Sequence, residues 1–213
     1  ILDGTYSDGD GVEVSLDFGP LKQEAPHGVL CKDNKYRAGV IVLRLDKKYS
    51  EVDARLEIAF DSSKPFYSGN GSQMMKFVGG LVVEKLGDNS LFLESEELML
   101  ESDDFGAMHF ECNNTVVKTV DNGKGIYDDE ITVDGNYQIK DDQGNKFSAS
   151  IEESLEKDYQ AGCIRNIVSG VLNITENYNA SSISVNYDVY GDKACDALVE
   201  ITINGKSSLY EVK

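Results

Sequence analysis

The sequence predicts an all-β protein built from two tandem antiparallel modules of sandwich or barrel type. Three observations predict this fold: segments with alternating apolar and polar residues, turn signals between those segments, and an ordered series of matches between the two halves. The 213 residues suffice for one large β domain or two small ones. Helical periodicity is weak throughout, although residues 151–159 have a composition that suits two helical turns.

Alternation with a period of two marks the strands. It runs through residues 12–18, 52–60, 183–189 and 197–203. One apolar face and one polar face are typical of antiparallel strands that are exposed to solvent on one side. The turn signals between them are Asp10-Gly11, Gly87-Asp88-Asn89, Asn122-Gly123, Gly144-Asn145 and Asn204-Gly205.

The two halves of the chain share an ordered series of residues. The matched features are Asp-Gly-Thr-Tyr at 3–6 with Asp-Gly-Asn-Tyr at 134–137, Cys31 with Cys163, Gly39 with Gly170, Cys112 with Cys195, and Asn122-Gly123-Lys124 with Asn204-Gly205-Lys206. An internal duplication explains this order, with modules at residues 1–129 and 130–213. The first module then carries an insertion at about 61–111 with its own hairpin, residues 80–84 against 91–93. Convergent strand composition, or one merged sandwich, is the alternative.

The four cysteines predict disulfides. None lies in a Cys-x-x-Cys pair, and an even number of widely spaced cysteines in an acidic β chain favours an oxidising compartment. If each module is closed within itself, the pairs are Cys31–Cys112 and Cys163–Cys195. Crossed pairing and four thiols in a reducing compartment remain open. The expected location is secreted, periplasmic or at the cell surface.

The net charge of −18 limits the partners of this chain. Such a surface repels nucleic acid and anionic lipid, and the sequence contains no apolar run of membrane-spanning length. Calcium is the cofactor that the acidic turns suggest, because short carboxylates beside glycines suit a hard cation. The candidate ligands are Asp8, Asp10, Asp141 and Asp142. Ordinary acidic hairpin turns explain the same residues.

The sequence contains no recognisable catalytic or cofactor motif. It therefore indicates no catalytic residue, and enzymatic activity stays uncertain. The two histidines, His27 and His109, lie in different contexts. We therefore expect a non-catalytic protein that binds or assembles with a protein or glycan partner. One alternative is a small-ligand carrier, since Gly4-Thr5-Tyr6 is a loose analogue of the Gly-x-Trp strand that opens lipocalin-like barrels. A carboxylate-dependent hydrolase is the other, although the sequence singles out no pair among its 38 acidic residues.

Overall fold

A computed structural model of the chain describes residues 11–104, 106–121, 129–159, 163, 166–176 and 181–211, without the side chains of residues 96 and 97. All regular secondary structure within these ranges is β-strand, so the prediction of an all-β fold is confirmed. In this described part, no helix is long and apolar enough to cross a membrane.

Fifteen strands make up the fold. They are β1 (Val12–Asp17), β2 (Val29–Leu30), β3 (Tyr36–Ala38), β4 (Val40–Leu45), β5 (Arg55–Phe60), β6 (Phe66–Gly69), β7 (Met74–Gly87), β8 (Ser90–Ser102), β9 (Gly106–Val120), β10 (Glu130–Asp141), β11 (Lys146–Asp158), β12 (Ser169–Glu176), β13 (Ser182–Asn186), β14 (Leu198–Ile203) and β15 (Lys206–Glu211).

All of these strands belong to a single sheet. Its order is β1-β4-β5-β7-β8-β9-β10-β11-β12-β13-β14-β15, with a side branch in which β2 pairs with β3, β3 with β6 and β6 with β7. The pairings with a determined register are antiparallel, as the alternation predicted. The hydrogen bonding therefore forms one sheet, where the sequence suggested two separate sandwiches or barrels.

The chain divides into two compact units. The first comprises Ile1–Asp88, Leu93–Glu111 and Ile139–Gly144, and the second comprises Asn89–Phe92, Cys112–Gln138 and Asn145–Lys213. This division does not follow the proposed boundary at residues 129 and 130. The duplication and its boundary stay predictions. The neighbouring strands β7 and β8 contain both halves of the proposed hairpin.

In the first unit, two branches of the sheet meet on β7. Residues 79–84 of β7 pair with β5, and residues 74–77 pair with β6. Gly39 joins β3 to β4 at a φ of 84°, and a Cβ at this position would collide with the carbonyl oxygen of Pro65. Glycine is required there because the strand must turn while another backbone passes close by.

One face of β1, β4, β5 and β7 is apolar. The register places these side chains on it: Val12, Val14, Leu16, Ile41, Leu43, Leu45, Leu56, Ile58, Phe60, Leu81 and Val83. Nearly all of them are half-buried, and Leu16 is 41% exposed. At one end this face meets a cluster of four phenylalanines around buried Phe66, whose ring lies 5.4–5.7 Å from those of Phe18, Phe60 and Phe77.

The second unit has its core around β11, β12 and β14. Leu155, Val168, Cys163 and Val199 are buried there. Strand β11 has register shifts between residues 151 and 156, where it pairs with β12. Gly170, with a φ of 113°, lies where a Cβ would collide with the backbone of β11. The segment with helical composition, 151–159, is thus almost entirely strand.

Candidate interaction edge

Strands β14 and β15 form a tight hairpin at one end of the sheet order. Asn204 has a φ of 49° and Gly205 a φ of 79°, as a two-residue type I′ turn requires. The pairing runs without a bulge from Ile203 opposite Lys206 to Leu198 opposite Glu211. Among the described residues, β14 is the one strand that pairs with β15. We call the residues Lys206–Glu211 the β15 edge.

The backbone of the β15 edge alternates in direction. The N–H of Asn204 donates to the carbonyl of Ser182, the first residue of β13, at 3.2 Å. The backbone groups of even-numbered residues at this end of β14 therefore face β13, and those of odd-numbered residues face β15. The residues opposite the odd-numbered ones are Lys206, Ser208 and Tyr210. It follows that Ser207, Leu209 and Glu211 point their N–H and C=O groups away from β14.

The side chains of the β15 edge are accessible on both faces. All six residues are exposed, and Leu209 and Tyr210 are 51% and 50% exposed. The strand contains no proline, and its two charges lie at its ends. A regular, exposed strand with an apolar centre is a site where another strand can pair.

The other end of the sheet order is β1, whose described partner is β4. The N–H of Phe18 donates to the carbonyl of Gly39 at 2.9 Å, so the backbone N–H and C=O groups of even-numbered residues of β1 point toward β4. The outward-facing residues are therefore Glu13, Ser15 and Asp17. We call Val12–Asp17 the β1 edge; two of its three outward positions carry carboxylates, which discourage pairing with another acidic strand.

Beside the β1 edge lies a concave, charged surface with a volume of about 980 Å³. Arg44 bridges two strands, with nitrogens 2.8 Å from Glu13 and 3.1 Å from Glu57. These contacts, chiefly the hydrogen bond to Glu13, raise the pKa of the Arg44 guanidinium. Arg55 lies 3.1 Å from Glu94. Both arginines thus have carboxylate partners, which weakens their attraction for an anionic ligand.

Two of the four predicted calcium ligands, Asp141 and Asp142, lie in the described part of the chain. Asp8 and Asp10 lie outside the described residues. Asp141 forms a hairpin turn, with its carboxylate accepting from the N–H of Gln143 at 3.0 Å, and Asp142 is exposed beside it. This is the ordinary turn geometry of aspartate. Calcium binding stays a prediction, which melting curves with calcium and with chelator would test.

One disulfide, Cys163–Cys195, is confirmed, and its Cα atoms are 5.1 Å apart. The side-chain amide of Asn166 donates to the carbonyl of Asp196 at 3.0 Å and so ties the same two segments together. Asp158 lies close to both sulfurs, the one grouping of potential metal ligands among the described residues. Because the sulfurs are bonded to each other, they are not thiolate ligands.

The predicted Cys31–Cys112 disulfide is wrong, because both residues remain thiols. The prediction assumed that the first module extended to residue 129, whereas Cys112 packs in the second compact unit and Cys31 belongs to the first. The Cys31 thiol contacts the carbonyl of Val29 and lies beside Arg37. Arg37 also forms a two-bond pair with Asp33, which lowers the pKa of that carboxyl to about 2.

A buried ion pair lies in the second unit. The Lys118 ammonium is 2.9 Å from Oδ2 of Asp129, whose side chain is 4% exposed. The other carboxylate oxygen, Oδ1, has no hydrogen-bond partner. In the same unit, burial raises the pKa values of the Tyr137 and Tyr187 hydroxyls. Asp129 therefore depends on Lys118 for compensation of its charge.

Among the described residues, neither of the two histidines belongs to a group of three or more side chains that could hold a metal ion. His27 packs edge-on against Tyr36, with ring centroids 5.7 Å apart. His109 is exposed on β9.

The fold and this edge define the protein as an all-β chain with a single antiparallel sheet, one disulfide and an accessible terminal strand. Comparisons with protein-family models, with curated proteins and with solved structures found no match. Sequence reasoning found strand β14 and the Asn204-Gly205 turn after it, but it identified neither β15 nor its position at an edge. Whether a whole strand is exposed depends on which strands pair with it, and a local sequence pattern does not show which strands pair.

Proposed function

We propose that this protein binds or assembles with another macromolecule by strand addition at the β15 edge. The observation that carries the proposal is a regular terminal strand with six exposed residues, in which Ser207, Leu209 and Glu211 direct their backbone groups outward. An extended segment of a partner would bond to those groups, and side chains such as Leu209 would set its specificity.

The disulfide supports placing this activity in an oxidising compartment, and we propose a secreted, periplasmic or cell-surface protein. The charge of −18 favours a partner segment that carries no net negative charge of its own, since like charges on paired strands repel. A protein strand meets this requirement better than nucleic acid, whose phosphates this surface repels.

A titration with a short strand peptide tests the proposal. The probe is a synthetic peptide with the sequence of residues 206–211, followed by amide exchange of the isotopically labelled protein. We expect slower exchange at Ser207, Leu209 and Glu211 alone within β15, because the other N–H groups are already bonded to β14. Unchanged exchange at these three amides, at peptide concentrations up to about 1 mM, would refute the proposal.

A matched pair of proline variants supplies the control. Leu209→Pro removes an outward N–H without breaking the ladder to β14, and Ser15→Pro makes the same change at the β1 edge. Peptide-induced protection is expected to be lost in the first variant and kept in the second. Loss in both variants, or in neither, would contradict a site at β15.

A small-ligand carrier is the second candidate, because the apolar face of the first unit is only half-buried and ends at the phenylalanine cluster. A fluorescent apolar dye would report such a site. If the dye loses its fluorescence in the Phe66→Ala variant and keeps it in the Leu209→Pro variant, the carrier is favoured over strand addition. The hydrolase stays an untested hypothesis.

A further inference from the structure

We infer that the occupant of the β15 edge is the β15 edge of a second copy of this chain, paired antiparallel about a two-fold axis at Leu209. The inference rests on the proposed function and specifies its partner.

The backbone alternation limits the possible registers. In an antiparallel pair, residues directly opposite one another must both point their N–H and C=O groups toward the partner, or both away from it. The three outward residues of β15 are evenly spaced about Leu209. A two-fold axis at Leu209 therefore sets Leu209 opposite its own copy and Ser207 opposite Glu211, which uses all three residues on both strands.

Charge then selects this pairing from the three antiparallel pairings that the β15 edge and the β1 edge allow, with themselves or with each other, at full overlap. Pairing β1 with its own copy about Ser15 would set Glu13 opposite Asp17 twice. Antiparallel pairing of β15 with β1 of another copy would set Glu211 opposite Glu13. Like charges directly opposite each other destabilise a strand pair, whereas the pairing of β15 with itself opposes none within the described strand.

The remaining side chains are compatible with the two-fold pairing. On one face, Leu209 meets Leu209 of the second copy at the axis. On the other face, Tyr210 lies opposite Ser208 of the second copy, and Lys206 is a diagonal neighbour of the second copy's Tyr210, within reach of a cation–π contact. An isologous contact of this kind closes as a dimer.

The dimer is expected to be weak. Three pairs of outward residues form six backbone hydrogen bonds, but six residues from each copy bury less than the roughly 1,000 Å² typical of stable interfaces. The Coulomb repulsion between two chains of charge −18 adds to this, so raising the salt concentration is expected to strengthen the dimer. The small interface therefore makes the association weak, and the charge makes it weakest at low salt.

Sedimentation equilibrium of the whole chain tests the inference. Between about 10 µM and about 1 mM we expect a monomer–dimer equilibrium that shifts toward dimer in salt. Leu209→Pro is expected to raise the dissociation constant at least about tenfold, since each copy loses an outward donor, and Ser15→Pro is expected to leave it unchanged. A monomer throughout the range, or a dimer that Leu209→Pro does not weaken, would overturn the inference.

A cysteine pair reports the register. In a Cys31→Ser background, Leu209→Cys sets two thiols opposite each other with Cα atoms about 5.5 Å apart, within disulfide range. Ser207→Cys is the control, because its copies lie about 13 Å apart along the strands. Oxidation is expected to cross-link the first variant and not the second. Equal cross-linking would contradict a two-fold axis at Leu209.

The two proposals fail in distinguishable ways. If the protein stays monomeric while the peptide probe still protects Ser207, Leu209 and Glu211, the second copy is excluded and strand addition stands. Growth into oligomers larger than a dimer would indicate head-to-tail pairing of β15 with β1 and also exclude the two-fold contact. Failure of both the dimer and the probe would end both proposals.

Discussion

Removal of the Cys163–Cys195 disulfide is expected to destabilise the second unit by about 3.7 kcal/mol. The bond joins residues 32 positions apart, and the chain-entropy relation gives this value for a loop of that length. The double variant Cys163→Ala/Cys195→Ala keeps the contact of Asn166 with Asp196, so the cost comes mainly from the greater freedom of the unfolded chain. Cys163 is 1% exposed, and a small residue is needed to replace it without strain.

Urea unfolding, followed by tyrosine fluorescence with and without reductant, measures this effect. Reductant is expected to lower the midpoint of the native chain and to leave the double variant unchanged. Cys31→Ser is the matched control: it is expected to cost less than about 1 kcal/mol because Cys31 is a thiol at a partly exposed site. A loss below about 1 kcal/mol in the double variant, or a large loss in Cys31→Ser, would refute the assignment of the disulfide.

Three further perturbations follow from the buried groups of the second unit. Lys118→Met leaves the aspartate with which it pairs as a buried, unpaired charge; we expect a loss of about 1–3 kcal/mol in urea unfolding, at the lower end because the lysine is partly exposed. Gly170→Ala is expected to cost about 2–4 kcal/mol through its φ and its backbone collision, whereas Gly191→Ala, which has open space around it, is expected to cost about 1 kcal/mol. Because burial raises the pKa values of Tyr137 and Tyr187, the unfolded chain loses these protons first as the pH rises through about 10. The free energy of unfolding is then expected to fall above that pH, and these groups do not affect it below that pH. Replacing both tyrosines with phenylalanine should reduce the fall of the melting temperature with rising pH.

Parts of the candidate edge were predictable from local sequence. Alternation identified residues 197–203 as a strand, and Asn204-Gly205 identified the turn, because both reflect the conformational preferences of neighbouring residues. The strand beyond that turn was not recognised as an edge. Its outward positions follow from the hydrogen bond of Asn204 to Ser182, a contact between segments 22 residues apart.

The sequence by itself determined that the chain is all-β and where several of its turns fall, and it offered Cys163–Cys195 as one of the possible cysteine pairings. Tertiary structure decided the rest: residues 151–158 are strand despite their helical composition, because pairing with β12 outweighs local preference. It also placed Cys112 in the second unit and left Cys31 a thiol. The physical reason is that turns and alternation depend on adjacent residues, whereas the pairing of strands, the burial of a thiol and the exposure of an edge depend on contacts between distant parts of the chain.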